Sequence, residues 1–191
     1  MANTKSSGCG CQTDRQESNN TPSCNRGYLE MIRIARGDQI CWFYSEMEQA
    51  LRLRHKVFVD EMKWEDLRKE DERETDQFDD EHAIHMFAME GETVIGYQRM
   101  LPTTRPHLLS HVMPELCETE NPKGPNIWEW TRFCVENTRR ERGRALSPTA
   151  NHLVSAIVEW GLRSGVDRII MEMDPPWLER NPIKLYHSRR H

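Results

Sequence analysis

The sequence predicts a single mixed α/β domain in which a sheet is layered with helices. Three observations lead there. The 191 residues suffice for one domain with a real core. Runs rich in β-branched and aromatic residues at 83–90, 93–101, 127–135 and 166–173 read as strands. An apolar helical stripe at 147–165 lies between the last two, so helix and strands share one core.

Composition excludes some functions. The net charge is −5, so no global attraction to nucleic acid is expected. No apolar run reaches about eighteen residues, so no membrane span is expected. The N-terminus lacks the basic-then-apolar pattern of an export signal, and the six cysteines read as reduced thiols of a cytoplasmic protein. Residues 1–27 contain no Val, Ile, Leu, Phe, Tyr or Trp, and 1–30 reads as a disordered extension, with Met31 an alternative start. Cys9, Cys11 and Cys24 lie there at no common zinc spacing, so neither metal nor cofactor is expected.

From Met31 onward the chain is better patterned. Ile32 to Ile34 and Ile40 to Tyr44 suggest a hairpin around Gly37 and Asp38. Ser45 and Glu48 have capping-box spacing, and Met47, Ala50, Leu51, Arg54, Val57 and Phe58 then share one helical face. Arg54 is on the apolar side. Either its stem packs and its head reaches water, or it points into a cleft.

Residues 60–81, DEMKWEDLRKEDERETDQFDDE, read as a solvated acidic loop or a binding loop. Strands follow at 83–90 and 93–101 around a turn at Gly91, and 105–126 is a turn-rich connection.

The segment 127–135, IWEWTRFCV, is a buried strand that carries two charges. Strict alternation puts Glu129 with Ile127, Thr131 and Phe133, and Arg132 with Trp128, Trp130 and Cys134. If both charges serve one site, the strand is bulged.

Next come Arg139, Arg140, Arg142 and Arg144, then a helix with Ser147 as N-cap, Pro148 at its first position and Gly165 as C-terminal cap. Its apolar face is Leu153, Val154, Ile157, Val158 and Trp160. A basic, glycine-containing loop before a helix N-terminus suits an anion. Residues 166–173 form the last strand, which Pro175 and Pro176 stop.

Four motifs together resemble the LuxI-type acyl-homoserine-lactone synthases, the autoinducer synthases of bacterial quorum sensing. They are LRHKVFVDEMKW with Arg54, Phe58 and Trp64; DQFD with Asp76 and Asp79; GYQRMLPTTRP with Arg99; and WEWTRF with Glu129 and Arg132. The resemblance covers about 31 to 177. It implies a fold similar to GNAT acyl-CoA N-acyltransferases, a three-layer α-β-α arrangement with a mixed twisted sheet. The strands at 127–135 and 166–173 would splay to admit the acyl donor's pantetheine arm. Arg140, Gly143 and Arg144 look like the loop that binds its phosphate.

The implied reaction joins an acyl thioester, on acyl-carrier protein or as acyl-CoA, to S-adenosylmethionine, a substrate rather than a cofactor. The α-amine attacks the thioester. The methionine carboxylate then closes the lactone and expels methylthioadenosine. Deprotonating the amine needs a base, and Glu129 is the candidate. The sulfonium suits acids and aromatic faces, here Asp76, Asp79, Phe58 and Trp64. The carboxylate suits Arg54, Arg99 or Arg132. Arg132 would organise charge, paired with an acid of the 60–81 loop. The alternative for both is a plain Glu129–Arg132 network. The tetrahedral oxyanion takes a backbone N–H at the predicted bulge. Met171 falls where the family places a hydroxyl residue for 3-oxo chains, which implies an unsubstituted acyl chain.

The domain is expected to span 31–180, with an irregular tail at 181–191. That ending, NPIKLYHSRRH, is unlike the family's closing helix and strands and suggests truncation. Another GNAT-like N-acyltransferase, or an inactive remnant that binds without turnover, are the alternative functions.

Overall fold

A computed structural model describes residues 32–117, 119–140 and 146–173. The 1–30 segment with Cys9, Cys11 and Cys24, and the 181–191 tail, lie outside these residues. Five strands form one sheet in the order β1 (Ile32–Arg36), β2 (Ile84–Glu90), β3 (Thr93–Pro102), β4 (Ile127–Val135) and β5 (Arg168–Met171). The first four are antiparallel, and β5 joins β4 in parallel.

Helix α1 (Tyr44–Arg54) covers one face, and a short helix α2 (Leu108–His111) lies in the connection before β4. Helix α3 (Pro148–Ser164) covers the other face and supplies the crossover that a parallel neighbour requires. The predicted layered α/β class is what forms.

Alternation along the strands feeds two cores. Phe87, Met89 and Tyr97 pack with Ala50, Leu53, Val57 and Phe58 on the α1 side. Met86, Ala88, Met100 and Trp130 pack with Ala150, Leu153, Ala156 and Ile157 on the α3 side. Leu153 is fully buried. Its truncation to Ala costs about 2–5 kcal/mol.

Helix α3 starts and stops as the sequence indicates. The Ser147 hydroxyl accepts from the Ala150 N–H at 3.2 Å, Pro148 opens the first turn, and Gly165 caps the end at φ 69°. The predicted apolar face is too wide, since Val158 is 54% exposed. The helix seats on small residues, Ala150 and Ala156, rather than on Val158.

The hairpin at 32–44 does not form. Residues Gly37–Phe43 wind into a 3-10 helix, and β1 pairs with β2 instead. The Gly37 N–H donates to the Ala83 carbonyl at 2.9 Å, and a Cβ at Gly37 would collide with the Asp80 carbonyl. That close approach closes β1 onto the chain entering β2. Ser45 does not cap α1; its hydroxyl accepts from the Gln49 amide at 3.3 Å. The inward face is as read: Ala50, Leu51, Arg54, Val57 and Phe58 are buried. After Arg54 the helix widens into a π-helix, His55–Glu61, a departure common at functional sites.

Candidate active site

The site begins with one inserted residue in β4. Arg99 pairs with Thr131 but Tyr97 pairs with Cys134, so two steps on β3 match three on β4. Arg132 has φ 55°, a left-handed conformation that a non-glycine residue adopts only when its surroundings hold it. This is the predicted bulge. It also corrects the strict alternation. Arg132 joins Glu129 and Thr131 on the α1 side, Cys134 stays in the α1-side core, and Phe133 packs against the α3-side core.

There Arg132 enters a network of three guanidiniums and three carboxylates. The Arg54 Nε donates to Glu74 Oε2 at 2.5 Å and its Nη1 to Asp79 Oδ1 at 2.7 Å. Arg99 donates to Asp76 through Nη1 at 2.6 Å and Nη2 at 2.9 Å, to Asp79 at 2.6 Å and to the Thr131 hydroxyl at 3.1 Å. Arg132 grips both Glu74 oxygens, at 3.0 and 3.1 Å, and approaches Asp76 at 2.9 Å. The charges balance, as burial demands.

The protonation states follow from those partners. Burial alone would raise the carboxyl groups. Arg54 and Arg132 outweigh it at Glu74, Arg99 outweighs it at Asp76, and Arg54 and Arg99 outweigh it at Asp79. All three titrate below their usual range. Burial would lower the Arg54 and Arg99 guanidiniums, yet the facing carboxylates hold both above their usual value.

Access is uneven. The side chains of Arg54 and Arg99 are 0% exposed, whereas Asp76, Asp79 and Arg132 keep 11%, 10% and 8%. The cleft reading of Arg54 is therefore nearer the mark, but its head is sealed behind Glu74 and Asp79. Phe58 lies under Arg132, 5.8 Å from its guanidinium carbon, and stacks on Trp64 at 5.2 Å. Trp64 is 41% exposed and offers an aromatic wall beside the network.

The acidic loop is thus not simply solvated. Its Glu74 N–H donates to the Leu51 carbonyl at 3.1 Å, and Glu74 and Phe78 are buried. Glu74 bridges Arg54 and Arg132, and the sequence reading missed it among the surrounding acids. Beneath the network Tyr97 was missed too. Its ring lies 5.5 Å from the Arg54 guanidinium carbon, and its hydroxyl bonds His85 Nδ1 at 2.7 Å. Burial lowers His85 to about 4, so the imidazole is neutral.

Glu129 stands apart from these residues. It is fully buried, and its two oxygens accept the N–H groups of Leu108 at 2.9 Å and Leu109 at 2.7 Å, at the start of α2. The Glu129–Arg132 network is not formed; Arg132 pairs with Glu74 and Asp76 of the acidic loop. Glu172 lies just past the end of β5, on the same side of the sheet as Glu129. Burial and then the Glu129 charge raise Glu172 to about 8. The ladder between β4 and β5 ends at Trp130 and Met171 while β4 continues to Val135, so a fork opens beyond this rung. Met171 is half-buried against the α3-side core.

The arginine cluster is only partly described. Arg140 donates to the Val135 carbonyl at 2.7 Å and pairs with Glu61 at 2.5 Å. Arg139 pairs with Glu90. Gly143 and Arg144 lie outside the described residues. Among the described residues no group of three His, Cys, Asp or Glu is placed to hold a metal, and no helix is long and apolar enough to cross a membrane.

The chain is similar to known proteins. The autoinducer synthase family profile matches residues 39–180. An isovaleryl-homoserine lactone synthase of Bradyrhizobium diazoefficiens is 40% identical over 135 residues, which are 70% of this chain and 59% of that one. The chain therefore spans less than two thirds of that relative's length. An acyl-homoserine-lactone synthase of Aliivibrio fischeri is 32% identical over 141 residues, 73% of this chain and 72% of that one. Among solved structures, the CoA-dependent acyl-homoserine lactone synthase BjaI with SAM and isopentyl-CoA aligns at a TM-score of 0.72 and 36% identity, covering 78% of this chain and 69% of that one. An acyl-CoA N-acyltransferase from Pseudomonas aeruginosa aligns at a TM-score of 0.51 and 16% identity, which extends the likeness to the GNAT-like fold alone.

Proposed function

Because the chain belongs to the autoinducer synthase family, we propose that it makes an acyl-homoserine lactone from S-adenosylmethionine and an acyl thioester. The carrying observation is the balanced network at the β4 bulge, set beside an exposed aromatic wall and an open strand fork. A buried array of three arginines and three acids costs desolvation energy that a purely structural core avoids. It fits a zwitterionic, cationic substrate.

In this reading the sulfonium lies against Trp64, with Asp76 and Asp79 as counter-charge. The amino-acid carboxylate meets Arg132, the guanidinium that keeps some exposure. Arg54 and Arg99 hold the carboxylates in place rather than touching substrate. Glu129 is the base that receives the amine proton. The nitrogen attacks the thioester carbonyl, with a backbone N–H at the bulge as oxyanion donor. The thiolate leaves, the carboxylate closes the lactone on the γ-carbon, and methylthioadenosine departs.

The relative solved with isopentyl-CoA supports acyl-CoA as the donor. Met171 at the fork favours an unsubstituted acyl chain, since it offers no strong hydrogen bond to a 3-oxo group. The Arg140 loop is the proposed phosphate contact for the donor. The test is mass spectrometry of lactones after expression in a host that makes none. Wild type should yield lactone, and Glu129→Gln should lower it about 100-fold or more. Folded wild type that consumes S-adenosylmethionine and acyl-CoA without lactone would point to a different acyltransferase; no consumption would overturn the reading.

A further inference from the structure

Acids hold two nitrogens of the Arg54 guanidinium, Nε by Glu74 at 2.5 Å and Nη1 by Asp79 at 2.7 Å. The third, Nη2, is buried and has no hydrogen-bond partner among the described residues. An unmet donor on a buried cation is costly, and a planar group gripped along one edge can still tilt about it. The Tyr97 ring lies against that tilt. Its centroid is 5.5 Å from the Arg54 guanidinium carbon, within reach of a cation–π contact. Both side chains are fully buried, and desolvation strengthens such a contact.

The register of β2 and β3 puts the ring there. Phe87 pairs with Tyr97 and His85 with Arg99, so these four side chains share the α1-side face. His85 reaches Tyr97 on the diagonal, and its Nδ1 lies 2.7 Å from the hydroxyl oxygen. The Phe87 ring closes on the Tyr97 ring at 5.6 Å. The phenol is thus fixed at its hydroxyl end and along its ring. Burial raises the Tyr97 phenol and lowers the His85 imidazole, so both are neutral and leave the charges above them balanced. Neither side chain takes part in the proton transfers of the proposed reaction.

We propose that Tyr97, anchored by His85, is a positioning residue for the substrate cation: its ring sets the tilt of Arg54, and Arg54 sets Asp79. This rests on the lactone-synthase reading, in which Asp79 is a counter-charge to the sulfonium. The line of contacts is continuous. Arg54 Nη1 and Arg99 Nη1 both donate to Asp79 Oδ1, at 2.7 and 2.6 Å. The Asp79 side chain keeps 10% exposure where those of Arg54 and Arg99 have none. A change at Tyr97 therefore reaches a ligand as a shift of Asp79. The Arg140 loop, the proposed donor contact, lies off this line, so the effect falls on one substrate.

Two variants separate the ring from its anchor. Tyr97→Leu removes the aromatic face, and Tyr97→Phe keeps it without the hydroxyl. Calorimetry with S-adenosylmethionine and with coenzyme A reads both variants without turnover. Tyr97→Leu should weaken S-adenosylmethionine about tenfold, the scale of a desolvated cation–π contact, and leave coenzyme A within about twofold. Tyr97→Phe should restore S-adenosylmethionine to within about threefold of wild type. Equal losses for both ligands in Tyr97→Leu, or no rescue by Tyr97→Phe, would overturn the positioning role. Side-chain NMR of isotope-labelled arginine tests the first link without a ligand. A proton over an aromatic face is shifted upfield, so Arg54 should show such a signal in wild type and Tyr97→Phe and lose it in Tyr97→Leu. Its absence from wild type, or its persistence in Tyr97→Leu, overturns the proposal even if the enzyme makes lactone. The expected signals in a protein that makes no lactone keep the hold of Tyr97 on Arg54 and reject the synthase reading.

Discussion

Two acidic clusters, one buried and one partly buried, lie on the same side of the sheet and respond to burial in opposite ways. At the β4 bulge, Glu74, Asp76 and Asp79 are held ionised. At the fork, Glu172 is pushed up to about 8 by burial and by the neighbouring Glu129. Burial raises the carboxyl groups in both places. The difference is the partner: three guanidiniums in the first cluster, another carboxylate in the second. Burial therefore says that a carboxyl group is perturbed, and the nearest charge says in which direction.

The largest expected way to break this contrast is Glu74→Ala. It leaves Arg54 and Arg132 sharing one region with half of their anionic partners, and should cost about 3–5 kcal/mol in urea unfolding. Asp79→Asn comes next. It keeps the shape but removes the charge that both Arg54 and Arg99 bind. A loss of about 1.5–3 kcal/mol is expected, the scale of a charged hydrogen bond.

The pH profile sharpens the comparison because its two limbs have opposite signs. The network carboxylates titrate lower in the folded chain than in the unfolded one. Their contribution is complete above the unfolded carboxylate range and is lost as pH falls through the folded values. Glu172 behaves in the reverse sense. Its folded value of about 8 lies above the ordinary 4.5, so folding favours its proton and stability declines as pH rises across that window. Thermal unfolding of Glu172→Gln against wild type at pH 5, 7 and 9 should show the variant gaining relative to wild type up to about pH 8, then no further. A gap independent of pH would mean that Glu172 is already ionised. The smallest stability effect is expected from Trp64→Ala, about 0.5–1.5 kcal/mol for the lost Phe58 stack. Its effect on S-adenosylmethionine affinity, read by calorimetry, should exceed its effect on stability.

The legible parts of the site were those where two rules of the sequence conflict. Arg54 on an apolar helical face, and Glu129 with Arg132 at odd spacing in one strand, each break a period, and each break marks the site. The bulge follows from that second conflict alone. Glu74 breaks no pattern, because it stands in a run where about half the residues are acidic; its burial depends on a backbone hydrogen bond to Leu51 and on Arg54 and Arg132, which are distant in sequence. Glu172 was hidden for a related reason, since its neighbour on β4 is known only from the parallel register. The 37–43 segment was misread because Ile40 and Phe43 suit a strand as well as a 3-10 turn. Contact between Gly37 and the Asp80 carbonyl decides between them, a tertiary fact with no local signal.

The inserted residue in β4 has a genetic reading. With Arg132 removed, Thr131, Phe133, Cys134 and Val135 alternate regularly, each still on the side of the sheet it occupies now. The strand is thus a complete strand plus one codon, and that codon encodes the guanidinium that binds Glu74. A deletion library should recover loss of Arg132 as a folded, silent protein more readily than loss of Thr131 or Cys134. If the site makes lactone as proposed, that activity is gained or lost by a change in length, in a single step.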